Sequence, residues 1–574
     1  MSKRDSHKGR GAGKKTGDKS GEKKRVHSTR KRSVRHAERE RVVERRAHPP
    51  NPAVKWERQA PVPAGPPRTA KQDVDDILAF FSLRQGFDAQ TEREAALVAA
   101  WDVALEAAQR DDLRGLRAVT IDGADAKDFD DAVSIEPLEA GEKMEGGVRL
   151  GVHIADVSWY VRPGTLLDAQ AQVRGTSAYL PDRVLPMLPE ALSNGCCSLL
   201  PGQDRLTVSA LIDCGANGEV LAYRLVRSVI RSRERLAYGE VNRLLDGDPA
   251  LAERYADLLP DLQRMATLAA KLRGRRLSNG ALDLDVREAQ ISVNAQGEPT
   301  GIALRPRGAA ERMIEDFMLL ANRVVAGHAK ARNLPCLYRV HEPMDPDKAA
   351  AFSAFARGFG LRLRDATPRA LQRLLQDAEA LPEYPVIAQL LLRALQKARY
   401  DAEPLGHFGL ATGDYCHFTA PIRRYPDLFV HRALCAEMSG ELRFAERAMD
   451  ATAPGLAIHC SERERNAMEA ERTVERLMMA SYMAGRIGEE YGGMVVSVVE
   501  WGFYVALPNT VEGLVHVRTL RGHWTLNREL HCLVGGGAGP AAPVEVYRLG
   551  QAVRIRVEAV DVGARQIDFV VVDA

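Results

Sequence analysis

The stretch TIDGADAKDFDDAVSIE, Thr120 to Glu136, decides how the rest of the chain is read. Asp122, Asp128, Asp130 and Asp131 fall within ten positions of one another. Two carboxylates about 4 Å apart repel by roughly 4 kcal/mol at an effective dielectric near 20, so an ordered cluster of this kind calls for cations. The spacing D-x5-D-x-D-D does not match a calcium EF-hand loop, which carries Gly at its sixth position and Glu at its twelfth. Counted from Asp122, those positions hold Lys127 and Val133. The spacing suits instead a strand ending at Asp122, a turn through Gly123 and a return strand from Asp130, so that acids from both sides converge. Phe129 would then face the core. Hard oxygen ligands in that number suit one or two Mg²⁺ ions, and a pair of such ions can activate water and stabilise the leaving oxygen of a phosphodiester. An acidic surface turn is the other reading of the same residues.

Around this stretch the hydrophobic period is that of strands: LRAVTI, DDAVSIE and VRLGVHIADVSWYV, from Leu116 to about Val161. Before it, DVDDILAFF places Val74, Ile77, Leu78 and Phe81 on one helical face, and TEREAALVAAWDVALEAAQ continues as helix. After it come long helical patterns. In AERMIEDFMLLANRVVAGHAKAR, residues Met313, Ile314, Phe317, Met318, Ala321, Val324 and Val325 make a broad apolar face. Another helix is expected from APIRRYPDLFVHRAL, with Pro421 in its first turn, and one more over about 455–488. The last ninety residues alternate in short strands, GGMVVSVVEWGFYVALP, VEGLVHV, QAVRIRVEAVD and RQIDFVVVD, the pattern of a small five-stranded barrel. GGGAGPAAP between the third and fourth strands reads as a loop.

Charge divides the 574 residues unevenly. Residues 1–58 hold 20 Lys and Arg against 7 Asp and Glu; of chain totals of 80 and 77, that leaves 60 against 70 for the rest. With little apolar surface to offset chain entropy, residues 1–71 are expected to be a disordered basic arm followed by a proline-rich linker, an arm suited to polyanions. Segments 72–115 (helical), 116–488 (mixed α/β, catalytic in size) and 489–574 (barrel) complete the expected organisation. Eight cysteines without a CxxC pair support neither a disulfide framework nor a zinc knuckle, and only Cys196 and Cys197 are adjacent. With no long apolar run and no signal-peptide core, the expectation is a soluble, cytoplasmic, monomeric protein with no membrane partner.

TIDGADAKDFDDAV, followed by HIADVSWYVRPGTLLDAQAQVRGTSAYLPDRVLPMLPEALSNGCCSL and later by HFGLATGDYCHFTAPIRRYPDLFVHRAL, closely resembles the ribonuclease II and ribonuclease R family of exoribonucleases, from about residue 72 to the C-terminus. The resemblance implies an α+β chain, with a mixed α/β RNB catalytic domain and a C-terminal OB-fold barrel of the S1 type. It implies processive 3′→5′ hydrolysis of single-stranded or 3′-tailed RNA to nucleoside 5′-monophosphates, with Mg²⁺ as cofactor. Position by position, Asp122, Asp128, Asp130 and Asp131 match the family's metal-binding and catalytic aspartates, Asp130 being the indispensable one. Tyr179 matches the aromatic that stacks on the terminal base. Tyr238 and Glu315 match residues that contact the sugar, where a phenol and a carboxylate suit a 2′-hydroxyl that both donates and accepts. Arg423 matches the arginine that holds the scissile phosphate; Arg424 either assists or forms a structural ion pair. Glu471 matches a glutamate near the RNA path whose removal would relieve repulsion of phosphate. In the barrel, Trp501, Phe503, Tyr504 and His516 are the expected base-stacking surface, with Arg518 and Arg521 meeting phosphate. His407, His417 and His431 lack zinc spacing and read as core residues.

Two departures from the family stand out. Relatives usually carry two cold-shock barrels ahead of the catalytic domain, and nothing between Met1 and Lys71 is expected to fold into them. In GALDLD, Leu284 stands where some relatives carry an aromatic. The rival readings are an RNA-binding protein without chemistry, which loss of any of the four aspartates would favour, and a DNA nuclease, against which Tyr238 and Glu315 speak.

Overall fold

The computed structural model describes residues 70–138, 146–284, 288–527, 531–536 and 544–572. The expected basic arm and proline-rich linker therefore lie outside the described residues, apart from Ala70 and Lys71.

The strand-period segments build one seven-stranded sheet: β1 (Asp111–Asp112), β2 (Val119–Asp122), β3 (Asp131–Pro137), β4 (Val148–Ala155), β5 (Asp204–Cys214), β6 (Val220–Arg231) and β7 (Glu234–Ala237), in the order β1-β6-β5-β4-β3-β2-β7. All neighbours are antiparallel except β1 with β6 and β2 with β7. Alternation sorts the side chains. Val133 and Ile135 of β3 join Leu150, Val152 and Ile154 of β4 in one core, while Ala132 faces the other core with Phe129. The expected strand through SWYV is instead one helical turn, Val157–Tyr160, bounded by Asp156.

The first core is closed by two helices, α1 (Leu259–Ser278) and α2 (Ala309–Arg332), the latter burying Met313, Ile314, Phe317, Ala321, Val324 and Val325. At roughly 1.5–3 kcal/mol for each large apolar side chain buried, this face alone outweighs the propensity cost of its β-branched residues. The second core is closed by α3 (Tyr425–Met438) and part of α4 (Leu442–Ala484). Helix α4 is longer than the expected 455–488 segment, runs for 43 residues and carries Pro454 within it. Its apolar stripe serves three clusters in turn: Leu456 and Cys460 against the sheet, Ala470 and Val474 against helix Ala70–Phe80, and Ala480 and Met483 against the barrel. Val74, Ile77, Leu78 and Phe81 are all buried in the middle one. The segment after that helix breaks at Trp101–Val103, so two helices, Ala89–Ala99 and Ala104–Ala107, stand where one was expected.

The C-terminal strands close into a five-stranded barrel formed by Glu490–Val499, Gly502–Ala506, Glu512–His516, Ala552–Asp561 and Gln566–Val571. The glycine-rich stretch is not simply a loop. Gly535 and Gly536 end the middle strand of a separate antiparallel sheet, His523–Asn527, Cys532–Gly536 and Val544–Arg548, inserted between the third and fourth barrel strands. Residues 537–543 of that stretch lie outside the described residues.

Candidate active site

The acidic loop joins β2 to β3, the two strands paired through Val119 and Val133, so Asp122 ends one and Asp131 begins the other. Asp130 is buried at 4% exposure and Phe129 anchors the loop in the core at 2%. Asp125, a further acid of the stretch, points to solvent. Asp122, Asp130 and Asp131 each keep one Oδ2 atom buried without a hydrogen-bond partner. Burial, with the neighbouring aspartates adding to it, pushes Asp122 up to about 6 and Asp131 well above the carboxylate range. Burial raises Asp130 to about 7, against the opposing pull of Arg423 and of the Ile422 amide. Asp128 is engaged differently, accepting from the Tyr179 hydroxyl at 3.0 Å.

Among the described residues no three His, Cys, Asp or Glu side chains enclose a ready metal cage. Mg²⁺ does not need one: it keeps several waters and is commonly held by one or two carboxylates plus substrate phosphate. Buried carboxylate oxygens without partners, whose ionisation is opposed by burial and like charge, fit a hard divalent cation.

Facing the loop is the segment Ala420–Arg424. The expected helix begins later than Pro421, at Tyr425, with Pro426 in the first turn. In the segment before it the Ile422 N–H donates to Asp130 Oδ1 at 2.8 Å. Arg423, half exposed, sits with Nε 3.3 Å from Asp130 Oδ2. Arg424 turns away and pairs with buried Asp427 at 2.8 Å, which also accepts the Ala420 N–H. Arg424 is thus the structural ion pair of the two readings. The backbone of Arg423 is fixed by Ser177, whose N–H donates to its carbonyl at 3.0 Å. Gly175, at φ +70°, lies close against α4: a Cβ there would meet Arg463 at 2.7 Å.

Tyr179 lies on the short hairpin Ala178–Tyr179 with Val184–Leu185, its side chain exposed beside Asp128. Glu471 of α4 accepts the Tyr179 N–H at 2.7 Å. The glutamate expected near the RNA path thus holds the backbone of the aromatic residue. Tyr238 follows β7, whose register sets Ala237 opposite Asp122, and the charges of Asp122 and Asp131 act on its phenol after burial. Glu315 is taken up by Arg307 at 2.5 Å. Glu311, whose charge also acts on the Tyr238 phenol after those of Asp122 and Asp131, accepts from Asn242 at 2.9 Å.

Sequence reasoning missed Glu311 and two groups that hold the acidic loop. Arg235 Nη2 donates to the carbonyls of Gly123, Ala124 and Ala126, and its guanidinium lies 5.2 Å from the Phe129 ring. Ser198 Oγ accepts the Phe129 N–H at 3.0 Å and donates to the Lys127 carbonyl at 2.8 Å. No periodicity signals such contacts, which join residues far apart in the chain. His407, His417 and His431 are core or hydrogen-bonding residues: His431 Nε2 lies 2.8 Å from the Phe418 carbonyl and His417 Nδ1 2.9 Å from the Tyr400 hydroxyl.

In the barrel the aromatic stripe is divided, which corrects the expected stacking surface. Phe503 is fully buried in the barrel core, its ring centroid 4.5 Å from that of Tyr547, because alternation turns it inward. Tyr504 is packed where the barrel meets the helices of 346–394. His516 accepts the Arg518 N–H and is half-buried. Trp501, in the turn between the first two barrel strands, is 52% exposed. Leu284 packs against the same helical cluster as Tyr504.

Comparison with known proteins identifies the family and matches the fold. A family model described as RNB domain matches residues 110–440, and one described as S1 RNA binding domain matches residues 486–571. Ribonuclease R 1 of Lactococcus lactis is 41% identical over 504 residues, covering 87% of this chain and 60% of that protein. Ribonuclease R of Aquifex aeolicus is 40% identical over 514 residues, covering 89% of this chain and 71% of that protein. The structure of Mycoplasma genitalium RNase R in complex with ribose methylated single-stranded RNA superposes with a TM-score of 0.79 at 26% identity, covering 88% of this chain and 78% of that one. The chain spans about three fifths of the first of these relatives. An RNB match over more than half of the sequence, together with 40% identity across most of the Aquifex protein, shows that this chain belongs to the ribonuclease R family of RNB-domain proteins.

Proposed function

We propose that this chain is a Mg²⁺-dependent exoribonuclease that shortens single-stranded or 3′-tailed RNA from its 3′ end, releasing nucleoside 5′-monophosphates, and that it works as a cytoplasmic monomer. The observation that carries the reading is the set of buried carboxylates, Asp122, Asp130 and Asp131, each with an oxygen that accepts no hydrogen bond and with raised proton affinity, beside one half-exposed arginine that is ion-paired to Asp130. Such an arrangement is costly in a fold unless it serves a cation and an anionic substrate. It also argues against a purely RNA-binding role. Among the described residues no helix is long and apolar enough to cross a membrane.

In this reading Asp122, Asp130 and Asp131 hold the metal, with Asp128 at its edge. When bound, the ion supplies the charge that keeps these acids ionised, a water activated for attack, and stabilisation of the leaving oxygen. Arg423 binds the scissile phosphate: its guanidinium is fixed from behind by Asp130 and open to solvent in front, the geometry for meeting charge that grows in the transition state. Tyr179 stacks on the terminal base while Glu471 fixes its backbone and its hydroxyl steadies Asp128. Tyr238, backed by Glu311, meets the 2′-hydroxyl, with Glu315 further along the same helix. Trp501 and the basic residues Arg518 and Arg521 guide the strand on the barrel side. Binding of single- and double-stranded RNA by the Mycoplasma relative supports RNA as the substrate.

A denaturing-gel time course on a 3′-tailed hairpin, with and without Mg²⁺ and beside a DNA of the same sequence, tests the proposal. The expected result is a ladder ending in mononucleotides, on RNA alone and with the metal alone. Undiminished shortening by chelator-treated protein would overturn the metal assignment, and equal rates on DNA would overturn the role of Tyr238.

A further inference from the structure

The chain between Asp122, the last residue of β2, and Asp128 fixes how far apart the acids on the two sides of the turn stand. Little of that path is held by its own residues. Gly123, Ala124 and Ala126 have no polar side chain, Asp125 points to solvent, and one internal bond, from the Ala126 N–H to the Gly123 carbonyl at 3.1 Å, closes the turn. The remaining hold comes from distant segments. Ser198 takes the far end through Lys127 and Phe129. Arg235 takes the near end, where its Nη2 donates to the carbonyls of Gly123, Ala124 and Ala126.

Register brings Arg235 there. β7 runs parallel to β2 with Arg235 beside Thr120, two residues before Asp122, and the half-buried side chain extends past the end of β2 to the turn. The guanidinium is steadied by the face of buried Phe129, 5.2 Å away. Three carbonyl oxygens that converge on one nitrogen repel one another unless a cation lies between them, so loss of this group opens the turn. The Arg235 charge has a second, weaker effect on the acid itself: burial governs the proton affinity of Asp122, and among charges those of Arg423 and Asp128 act before that of Arg235. A fixed turn favours a cation at the acids, whereas a neighbouring positive charge opposes one. The two effects carry opposite signs, so experiment can separate them.

We propose that Arg235 is a positioning residue for the divalent ion: by clamping the carbonyls of Gly123, Ala124 and Ala126 it holds Asp122 in place relative to Asp128, Asp130 and Asp131, without itself touching the ion or the RNA. The inference rests on the metal reading of the acidic loop. Polar groups that orient metal ligands from behind typically cost about 10- to 100-fold in metal affinity when removed. The low end of that range applies here, because Ser198 still holds the other half of the loop.

The full chain is compared as wild type, Arg235→Met and Arg235→Lys. Met keeps apolar length beside Phe129 but offers neither donor nor charge, whereas Lys keeps the charge and three donors on one nitrogen. Mn²⁺ binding to the RNA-free protein is read by electron paramagnetic resonance, and RNA shortening is followed against Mg²⁺ concentration. Arg235→Met is expected to bind Mn²⁺ about tenfold more weakly and to need about tenfold more Mg²⁺ for half-maximal shortening, with KM for RNA and the rate at saturating Mg²⁺ within about twofold of wild type. Arg235→Lys is expected to stay within about threefold of wild type in both metal readouts. Melts in chelator check that each variant is folded; should Arg235→Met not fold, Arg235→Gln, a donor without the charge, takes its place with the same expected sign. Unchanged or tighter Mn²⁺ binding by the uncharged variant would overturn the inference, because the charge rather than the clamp would then be what Arg235 contributes. A loss of shortening that saturating Mg²⁺ does not restore would overturn it as well. Failure of the wild type to bind Mn²⁺ at all would instead remove the metal reading itself, so the two failures are distinguishable.

Discussion

Asp130→Asn separates a functional acid from a structural one. The amide keeps the oxygen that accepts the Ile422 N–H at 2.8 Å and occupies the same volume, but it carries no charge. Asp130 is raised to about 7 by burial, net of the opposing attraction of Arg423. The sign follows from linkage: an acid whose folded pKa lies above its unfolded value binds more protons when folded, so its ionised form destabilises the fold as pH rises. Between an ordinary value of 3.8 and about 7, at 1.36 kcal/mol per tenfold change, the metal-free wild type loses about 4 kcal/mol at pH 8 relative to a neutral side chain, fading to under about 1 kcal/mol near pH 4. Asp130→Asn should therefore melt higher than wild type at pH 8, by about 5 °C, with little difference at pH 4. In the same preparation RNA shortening should vanish while RNA binding persists. Thermal melts with chelator at the two pH values, beside a gel assay, make the comparison. A variant that melts lower at pH 8, or one that still releases mononucleotides, would refute the reasoning.

Mg²⁺ should raise the melting temperature of the wild type more at pH 8 than at pH 5, because Asp122 near 6 and Asp130 near 7 are largely protonated in acid; equal shifts at both pH values in a thermal titration would contradict this. Phe503→Ala should destabilise the barrel by about 3–5 kcal/mol in denaturant melts, since its ring is fully enclosed. Trp501→Ala should leave stability within about 0.5 kcal/mol yet weaken RNA retention by about 1–3 kcal/mol in a filter-binding assay, the scale of one stacked base. Deleting residues 1–58, with their 20 Lys and Arg, should flatten the salt dependence of RNA affinity by about 0.7 in logarithmic slope for each phosphate no longer neutralised, and an unchanged slope would deny the arm any contact with RNA.

Much of the fold was legible because its elements are strongly periodic. The apolar face of α2 and the alternation in β3 and β4 each record a burial pattern that the chain must satisfy wherever it packs. Legibility failed where local signals compete. Pro421 and Pro426 are both plausible first-turn residues, and local signals do not separate them; the helix starts at Tyr425. The glycines of 535–536 read as a loop because the cross-strand partners that make them a strand stand 8 to 13 residues away in sequence.

By itself the sequence determined which acids cluster and that a strand, a turn and a strand carry them, since spacing and residue chemistry are local properties; the arginine opposite them came only from the resemblance to the family. The tertiary structure alone decided which oxygens are left without hydrogen bonds, that Glu471 holds the Tyr179 backbone, that Glu315 is taken up by Arg307, and that Phe503 is core while Trp501 is surface. Those outcomes depend on burial and on contacts between segments up to about three hundred residues apart, such as Tyr179 with Glu471, and desolvation at such contacts has no signature in a one-dimensional pattern.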